Sequence, residues 1–448
     1  MTSRESITAW ALRQASEIRE GGFNMLSWKV RRSLRRLHLW EFMNGFWAVP
    51  VVLLIRALRP LMLIRMGVIR SDRIGHFVAD GAEQVARLQQ QPKNTIDLFW
   101  LGEICNTQWE RMIRRTLPVH SWVKYVDWWN RTLPGGYSHE RPSSFTQSRD
   151  MEGLYARYDV KIPFLPTETE EALSWLRSKG WTDGEPFVCL LVRDDEFLAN
   201  DPLQGNGTSS TYAGWSHHDY RNSDIDTYIP AIQWLAEQGV WVIRMGKIMG
   251  KPLPTGMDHV VDFAFDPDKS DLLDIWLFAN CSGCISTATG PDMIALVYDW
   301  PLLFVNAMPL GGFWSFANAI WVPKPLCWKD SGQPLSVHEH LQNSFSFSSH
   351  YDAVGIDVFD MTPAQIKLAV QEFWQRRTGT WQVELEDELR QQKLWDTCMA
   401  WPEYSAFHGW RHKEARIGAA WLRSMEAAVA SSDEDIDDFG LGQTIAGP

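Results

Sequence analysis

Cysteine is scarce and dispersed in this chain: six residues in 448, at Cys105, Cys189, Cys281, Cys284, Cys327 and Cys398. That usage excludes a small scaffold held by disulfides, and with no cleavable signal peptide read ahead of them a reducing cytoplasm is the expected setting. Cys281 and Cys284 form a lone C-x-x-C with no second ligand pair to complete a zinc site, so they read as small buried residues at a helix end and a strand start. Positive charge is also in deficit, with 43 Lys and Arg against 55 Asp and Glu and a net of −12. An acidic body repels a phosphate backbone, and nucleic acid is not an expected partner. No metal is expected either. His217 and His218 stand beside Asp219, but no further ligand follows at metal spacing on the same element, and the group reads as a polar lip over a ligand.

What the chain does have is the composition of a folded body, 45% hydrophobic and 22% charged, with length for two domains, each with its own core. The charge is placed unevenly. Residues 1–70 carry twelve Lys and Arg against four Glu, a net of +8, which leaves the remainder at −20. The basic run Lys29 to Arg36, KVRRSLRR, precedes the uncharged Phe42 to Ile55, FMNGFWAVPVVLLI, with Trp40 and Trp47 as interface anchors. A span needs about 20 apolar residues, and Arg56 and Arg59 close this segment early. An interfacial or half-inserted helix on an anionic membrane surface is therefore the leading expectation, ahead of a buried N-terminal helix and of a true span.

Leu61 to Ile69, bounded by Pro60 and the polar turn Arg70 to Arg73, has the pattern of a buried parallel strand. A helix over 74–91 and a strand over 95–101 follow. A Trp- and Pro-rich region with few clean periods leads to a helix over 168–179 and a linker at 181–186. Clearer alternation begins at Phe187: strands over 187–192, 240–245, 260–263, 283–287 and 301–306, separated by helices over 224–238, 270–280 and 292–298. Strands alternating with helices at this spacing imply parallel sheets covered on both faces. The expected division is a membrane-associating segment 1–60, α/β domains over 61–180 and 187–361, a helical extension over 362–430 built from helices at 362–377, 381–393 and 410–429, and an acidic disordered tail from Ser431.

In open parallel sheets ligands sit at the carboxyl ends of the strands. The turn Ser286, Thr287, Ala288, Thr289, Gly290, Pro291, ahead of a helix opening at Asp292, offers hydroxyls, a backbone without Cβ and a proline suited to a first helical turn, a combination that holds a phosphate. The loop after the first strand of the second domain brings Arg193, Asp194 and Asp195 and runs on to Tyr220 and Arg221; the loop after the next strand brings Arg244, Gly246 and Lys247. Three guanidinium groups at one sheet edge suit a diphosphate, whose charge they neutralise without a metal. In the first domain, the strand-end loop SDRIGHFVAD supplies Asp72, Arg73, Gly75, His76 and Asp80. Gly75 permits close backbone approach and His76 titrates near neutrality.

The runs YRNSDIDTYIPAIQWLAEQGVWVIRMG and SDLLDIWLFANCSGCISTATGPDMIALVYDWPLLFVN resemble the glycosyltransferases of bacterial surface-polysaccharide gene clusters and, more distantly, the lipopolysaccharide heptosyltransferases. RSDRIGHF and CNTQWERMIRRTLPV are similar to N-terminal motifs of the same group, and the resemblance covers residues 61–376. It implies a two-domain GT-B fold of Rossmann-like units facing a cleft, with the acceptor on the first and the nucleotide-sugar on the second. It further implies a base from the first domain, His76, Asp80 or Asp72; acceptor contacts from Arg73, Gly75 and Asn106; and donor contacts from Arg193, Tyr220, Arg221, Arg244, Gly246, Thr287, Thr289, Gly290, Pro291 and Asp292. Where the heptosyltransferases place a histidine shortly after the Thr-Gly-Pro turn, this chain has Asp292.

The expected activity is transfer of a sugar from a nucleotide-sugar to a glycan acceptor, lipid-linked and held at the cytoplasmic face of the membrane, with no cofactor beyond the donor itself. An epimerase or hydrolase of sugar nucleotides on the same fold is one alternative. A non-catalytic, membrane-bound assembly partner is the other.

Overall fold

A computed structural model describes residues 45–142, 149–194, 196, 221–345 and 347–427. The basic run at 29–36, Trp40, Phe42, Asp195, the stretch containing His217 to Tyr220 and the acidic tail lie outside them. The first α/β unit opens with helix α1 (Ala48–Ala57), strand β1 (Leu63–Ile69), helix α2 (Ile74–Gln89), strand β2 (Thr95–Leu101), and helices α3 (Thr107–Thr116) and α4 (Val123–Thr132). Strands β1 and β2 pair in parallel, Leu63 opposite Thr95 through Ile69 opposite Leu101. Parallel bridges from Met66 to Glu140 and from Phe99 to Val119 widen this small sheet on both sides. Two more helices, α5 (Leu154–Arg157) and α6 (Pro166–Ser178), lead out of the unit.

The second unit holds β3 (Phe187–Leu191), α7 (Ile229–Glu237), β4 (Trp241–Arg244), β5 (Val260–Val261), α8 (Asp271–Asn280), β6 (Gly283–Ser286), α9 (Asp292–Val297), β7 (Leu302–Ala307) and β8 (Ala319–Pro323). A short antiparallel pair, β9 (Leu326–Trp328) with β10 (Ile356–Val358), flanks helices α10 (Val337–Gln342) and α11 (Ser348–Ala353). Then come α12 (Pro363–Thr378), α13 (Leu385–Ala400), α14 (Tyr404–Phe407) and β11 (Arg416–Ile417). The main sheet has the order β11-β8-β7-β6-β3-β4-β5, and every pairing in it is parallel. All residues of β3, β4, β6, β7 and β8 are buried, as strands covered on both faces must be.

The helix boundaries follow local chemistry. Thr362 and Gln365 form a capping box ahead of α12, with the Thr362 hydroxyl accepting from Gln365 N–H at 3.3 Å and the Gln365 side chain accepting from Thr362 N–H at 2.9 Å. Pro363 takes the first position and Gly379, with φ 73°, ends the helix. Ser270 caps α8 through Leu273 N–H at 3.2 Å.

Three features add to or differ from the expected organisation. The apolar segment near the amino terminus is, from Ala48 on, a helix packed on the protein: Ala48, Val52 and Ile55 share a buried cluster with Met66, Val123, Val126 and Trp129. Arg56 ties it down through Asn130 Oδ1 at 3.2 Å and the Leu133 and Pro134 carbonyls at 3.0 and 2.7 Å. Its other side, with Phe46, Trp47, Leu53 and Leu54, is exposed. No helix among the described residues is long and apolar enough to cross a membrane. Second, the helix expected over 410–429 starts only at 419, because Arg416 and Ile417 form an edge strand beside Ile320 and Trp321. The carboxyl-terminal region thereby closes the main sheet instead of extending away from it. Third, beside the first-unit cluster under α1, one larger apolar cluster runs across both units, from Ile69 through Phe187 and Leu303 to Leu422.

Candidate functional site

The carboxyl-end loops of the two sheets meet. The loop after β1 turns at Ser71, Asp72 and Arg73 into α2, whose amino end has neither a side-chain cap nor an acidic residue in its first turn. Gly75 in that turn lies so close to Gly290 of the turn after β6 that a Cβ on Gly75 would stand 2.8 Å from the Gly290 Cα and 2.9 Å from its carbonyl oxygen. Only glycine allows this approach. A second crossing joins the start of α3 to the start of α8: Asp271 accepts from Thr107 N–H and Oγ1, both at 2.7 Å, and its carbonyl accepts from Asn106 Nδ2 at 3.1 Å.

On the first-unit side, His76 follows Gly75 and is half-buried. Burial, together with the positive charges of Arg70 and Arg73, pushes its pKa down to about 4, so at neutral pH the imidazole is unprotonated and able to accept a proton. Asp72 forms an ion pair with Arg70 at 2.6 Å. Burial would raise its carboxyl, and the Arg70 guanidinium more than offsets that, leaving it below the ordinary carboxylate value. A carboxylate so stabilised is a poor base. Asp80 is fully buried and accepts from Arg70 N–H at 3.2 Å, which makes it a support of the strand-end loop one turn behind His76, not a group facing a ligand. Asn106 caps α3, its Oδ1 accepting from Trp109 N–H at 2.8 Å; with its amide also on Asp271, it joins the units and is not placed as an acceptor contact. Arg73 is half-buried beside Asp72 and Arg70, and burial and the Arg70 charge lower its pKa. Arg70 is the residue the sequence reading leaves out, although it too stands at the end of β1.

On the second-unit side, Arg193, Arg221, Thr287, Thr289, Gly290, Pro291 and Asp292 come together. The Arg193 N–H donates to Thr287 Oγ1 at 3.0 Å and its carbonyl accepts from Ser223 N–H at 3.0 Å. The Arg221 guanidinium donates to the Ala288 carbonyl, and Ala288 itself has a left-handed backbone with φ 59°, a conformation that costs a non-glycine residue about 1–2 kcal/mol. Strain of this kind is concentrated at ligand-holding turns. Gly290 is exposed and Thr289 half-buried. Pro291 is the residue from which α9 starts.

Two features depart from the expected cradle. Asp292 is fully buried and its carboxylate accepts from Thr289 N–H at 2.5 Å, so one amide of the turn is already taken by an internal acid. Burial drives the Asp292 carboxyl up to about 7, against the pull of Ser286, the Thr289 N–H and Arg221. Arg244 does not join the other two arginines. It is buried, paired with Asp262 at 3.0 Å, bonded to the Lys251 carbonyl at 3.0 Å and seated over the Phe265 ring. Its role as placed is to hold the loop after β4, where Gly246 accepts from Lys269 Nζ at 3.1 Å. Tyr220 lies outside the described residues. No group of three or more metal-ligating side chains occurs among the described residues.

No protein-family model matches this chain, and none of the curated proteins does. Solved structures overlay on it loosely. The glycosyl transferase family 9 protein of Veillonella parvula DSM 2008 is 11% identical over 58% of this chain and 86% of its own, with a TM-score of 0.35. The ADP-heptose LPS heptosyltransferase II of E. coli is 10% identical over 55% and 85%, with a TM-score of 0.33. The E. coli heptosyltransferase WaaC with ADP is 13% identical over 58% and 91%, with a TM-score of 0.29. The α/β architecture stands on the strand order above, independently of these overlays.

Proposed function

We propose that this chain is a glycosyltransferase that moves a sugar from a nucleotide-sugar to a glycan acceptor at the junction of its two strand-end loops. The observation that carries the reading is the approach of Gly75 to Gly290: His76 is the next residue along the chain from Gly75, and Arg221 bonds the Ala288 carbonyl two residues before Gly290. The diphosphate of the donor lies alongside that turn, on the Arg193 and Arg221 side, and the uncapped amino end of α2 adds to the positive field. His76 takes the proton of the acceptor hydroxyl as its oxygen bonds to the anomeric carbon. The bond from that carbon to the phosphate oxygen breaks, and the nucleoside diphosphate leaves with the electron pair. The negative donor raises the His76 pKa from its ligand-free value toward the working pH, where a general base is most effective.

The acceptor is lipid-linked in this reading. The exposed side of α1 with Phe46, Trp47, Leu53 and Leu54, joined to the basic sequence before it, suits an anionic bilayer surface. The direct test is incubation with a panel of nucleotide-sugars and membrane extract, following nucleoside diphosphate release. His76→Ala is expected to lower turnover about 100-fold or more, with the thermal transition unchanged. Turnover equal to the parent protein would overturn the assignment.

A second reading is favoured by the Thr289 N–H already engaged by Asp292 and by Arg244 engaged with Asp262: a non-catalytic partner of other polysaccharide enzymes on the same fold. It predicts no binding of any nucleoside diphosphate, where the transferase reading predicts binding.

A further inference from the structure

A cavity of about 600 Å³ opens in the first unit, and neither Gly75 nor Gly290 lines it. Its walls include Trp100 on β2, Glu103 in the loop after it, and Lys124, Tyr125, Asp127 and Trp128 on α4, with Arg131 one turn further along that helix. The volume is within the range of roughly 300–1,000 Å³ typical of small-molecule sites. Trp100, Tyr125 and Trp128 are half-buried rings on this wall. Asp127 is buried and fixes two of the walls at once: it accepts from Trp100 Nε1 at 2.9 Å and from Arg131 Nε at 2.9 Å. The Trp128 and Trp129 rings stand perpendicular with centroids 5.0 Å apart, and Lys124 Nζ lies 5.9 Å over the Trp100 ring. The amino end of α1 borders the same group, with Phe46 against Trp129 at 5.5 Å and Trp47 against Tyr125 at 6.0 Å.

We propose that this cavity binds a neutral sugar residue, and, if the chain is the glycosyltransferase argued above, that it is a subsite for the acceptor glycan. Aromatic faces carry negative potential and meet the C–H faces of a sugar ring, while the Glu103 carboxylate and the Lys124 ammonium at the rim are the groups that take its hydroxyls. The two acids, Glu103 and Asp127, balance the two bases, Lys124 and Arg131, so the site carries no net charge and does not select a phosphate or a polyanion. Its border with the exposed apolar side of α1 places a bound glycan next to the surface where a lipid tail would lie.

The test uses the intact protein without nucleotide and a panel of methyl glycosides of glucose, galactose, mannose, rhamnose and N-acetylglucosamine, read by saturation-transfer NMR and tryptophan fluorescence. At least one glycoside is expected to bind at millimolar concentration. Trp128→Ala and Glu103→Gln should each weaken that binding about fivefold or more, the scale of one lost aromatic or polar contact. Glu103 is exposed, so its variant tests the site without endangering the fold. Failure of every glycoside to bind, retention of binding in both variants, or displacement of the glycoside by a nucleoside monophosphate would each overturn the proposal. Nucleotide-sugar turnover is a separate readout, so loss of this subsite and loss of the transferase reading are distinguishable.

Discussion

At the scale of single residues, the buried titratable groups make opposite predictions for pH and for mutation. Asp292 and Asp274 have carboxyls raised to about 7, burial being the main cause in both. A folded pKa above the unfolded one means stability present at low pH and lost as pH rises through 7. That contribution is therefore lost between about pH 4 and 7 and is level above, and Asp292→Asn, whose side-chain oxygen still accepts from Thr289 N–H, should remove its part from the pH dependence of the thermal unfolding temperature. His76, His340 and His408 are lowered to about 4, again with burial first among the causes. Their contribution has the other sign: it is present above the unfolded value near 6.5 and is lost as pH falls from there through 4. Arg244→Ala leaves Asp262 without its ion-pair partner in a largely buried site and should cost on the order of 3 kcal/mol in urea unfolding. If Arg244 bound donor instead, the variant would unfold like the parent and lose only nucleotide affinity.

At the scale of elements, the two loops fit because neither carries a side chain at the point of contact. Gly75→Ala would put a Cβ against Gly290 backbone at 2.8 Å, whereas Gly290→Ala would meet Gly75 at 3.2 Å. Backbone cannot step aside as a flexible side chain can, so Gly75→Ala should be the more damaging, at about 1–3 kcal/mol of overpacking, and should cut turnover more than Gly290→Ala. Equal effects would show that the loops do not meet this way. The strands and helices around these loops were legible from sequence because they rest on local signals: the capping box at Thr362 and Gln365, Ser270 ahead of α8, and the continuous apolar run of β3. The turn at 286–291 was legible for the same reason. Arg244 was not, because its strand-end position is the same whether it faces a ligand or Asp262, and Asp262 is eighteen residues away along the chain. The edge strand Arg416–Ile417 was hidden too, since two residues carry no period and their pairing with β8 is set by tertiary packing alone. The Trp100 cavity needed β2 and α4 to be brought together, and no spacing within either element announces it.

At the scale of the molecule, one apolar cluster spans both units, and a continuous apolar interface of that kind opposes free relative motion of the units. The surface organisation has a direction as well. Exposed Phe46, Trp47, Leu53 and Leu54 lie on the first unit, and the basic run 29–36 precedes them in the sequence. Vesicles with anionic lipid should sediment the parent protein, and Leu53→Glu with Leu54→Glu should release it; binding that persists in that double variant would remove α1 from the membrane contact. The central claim, that a nucleotide diphosphate is held at the junction on the Arg221 side, is tested most directly by calorimetric titration of UDP, GDP, ADP, CDP and dTDP into the parent protein and into Arg221→Ala. At least one of these is expected to bind the parent, and the variant to bind it about tenfold or more weakly, the loss expected of a charge-assisted contact. Absence of binding by all five, or equal affinity in Arg221→Ala, would contradict it.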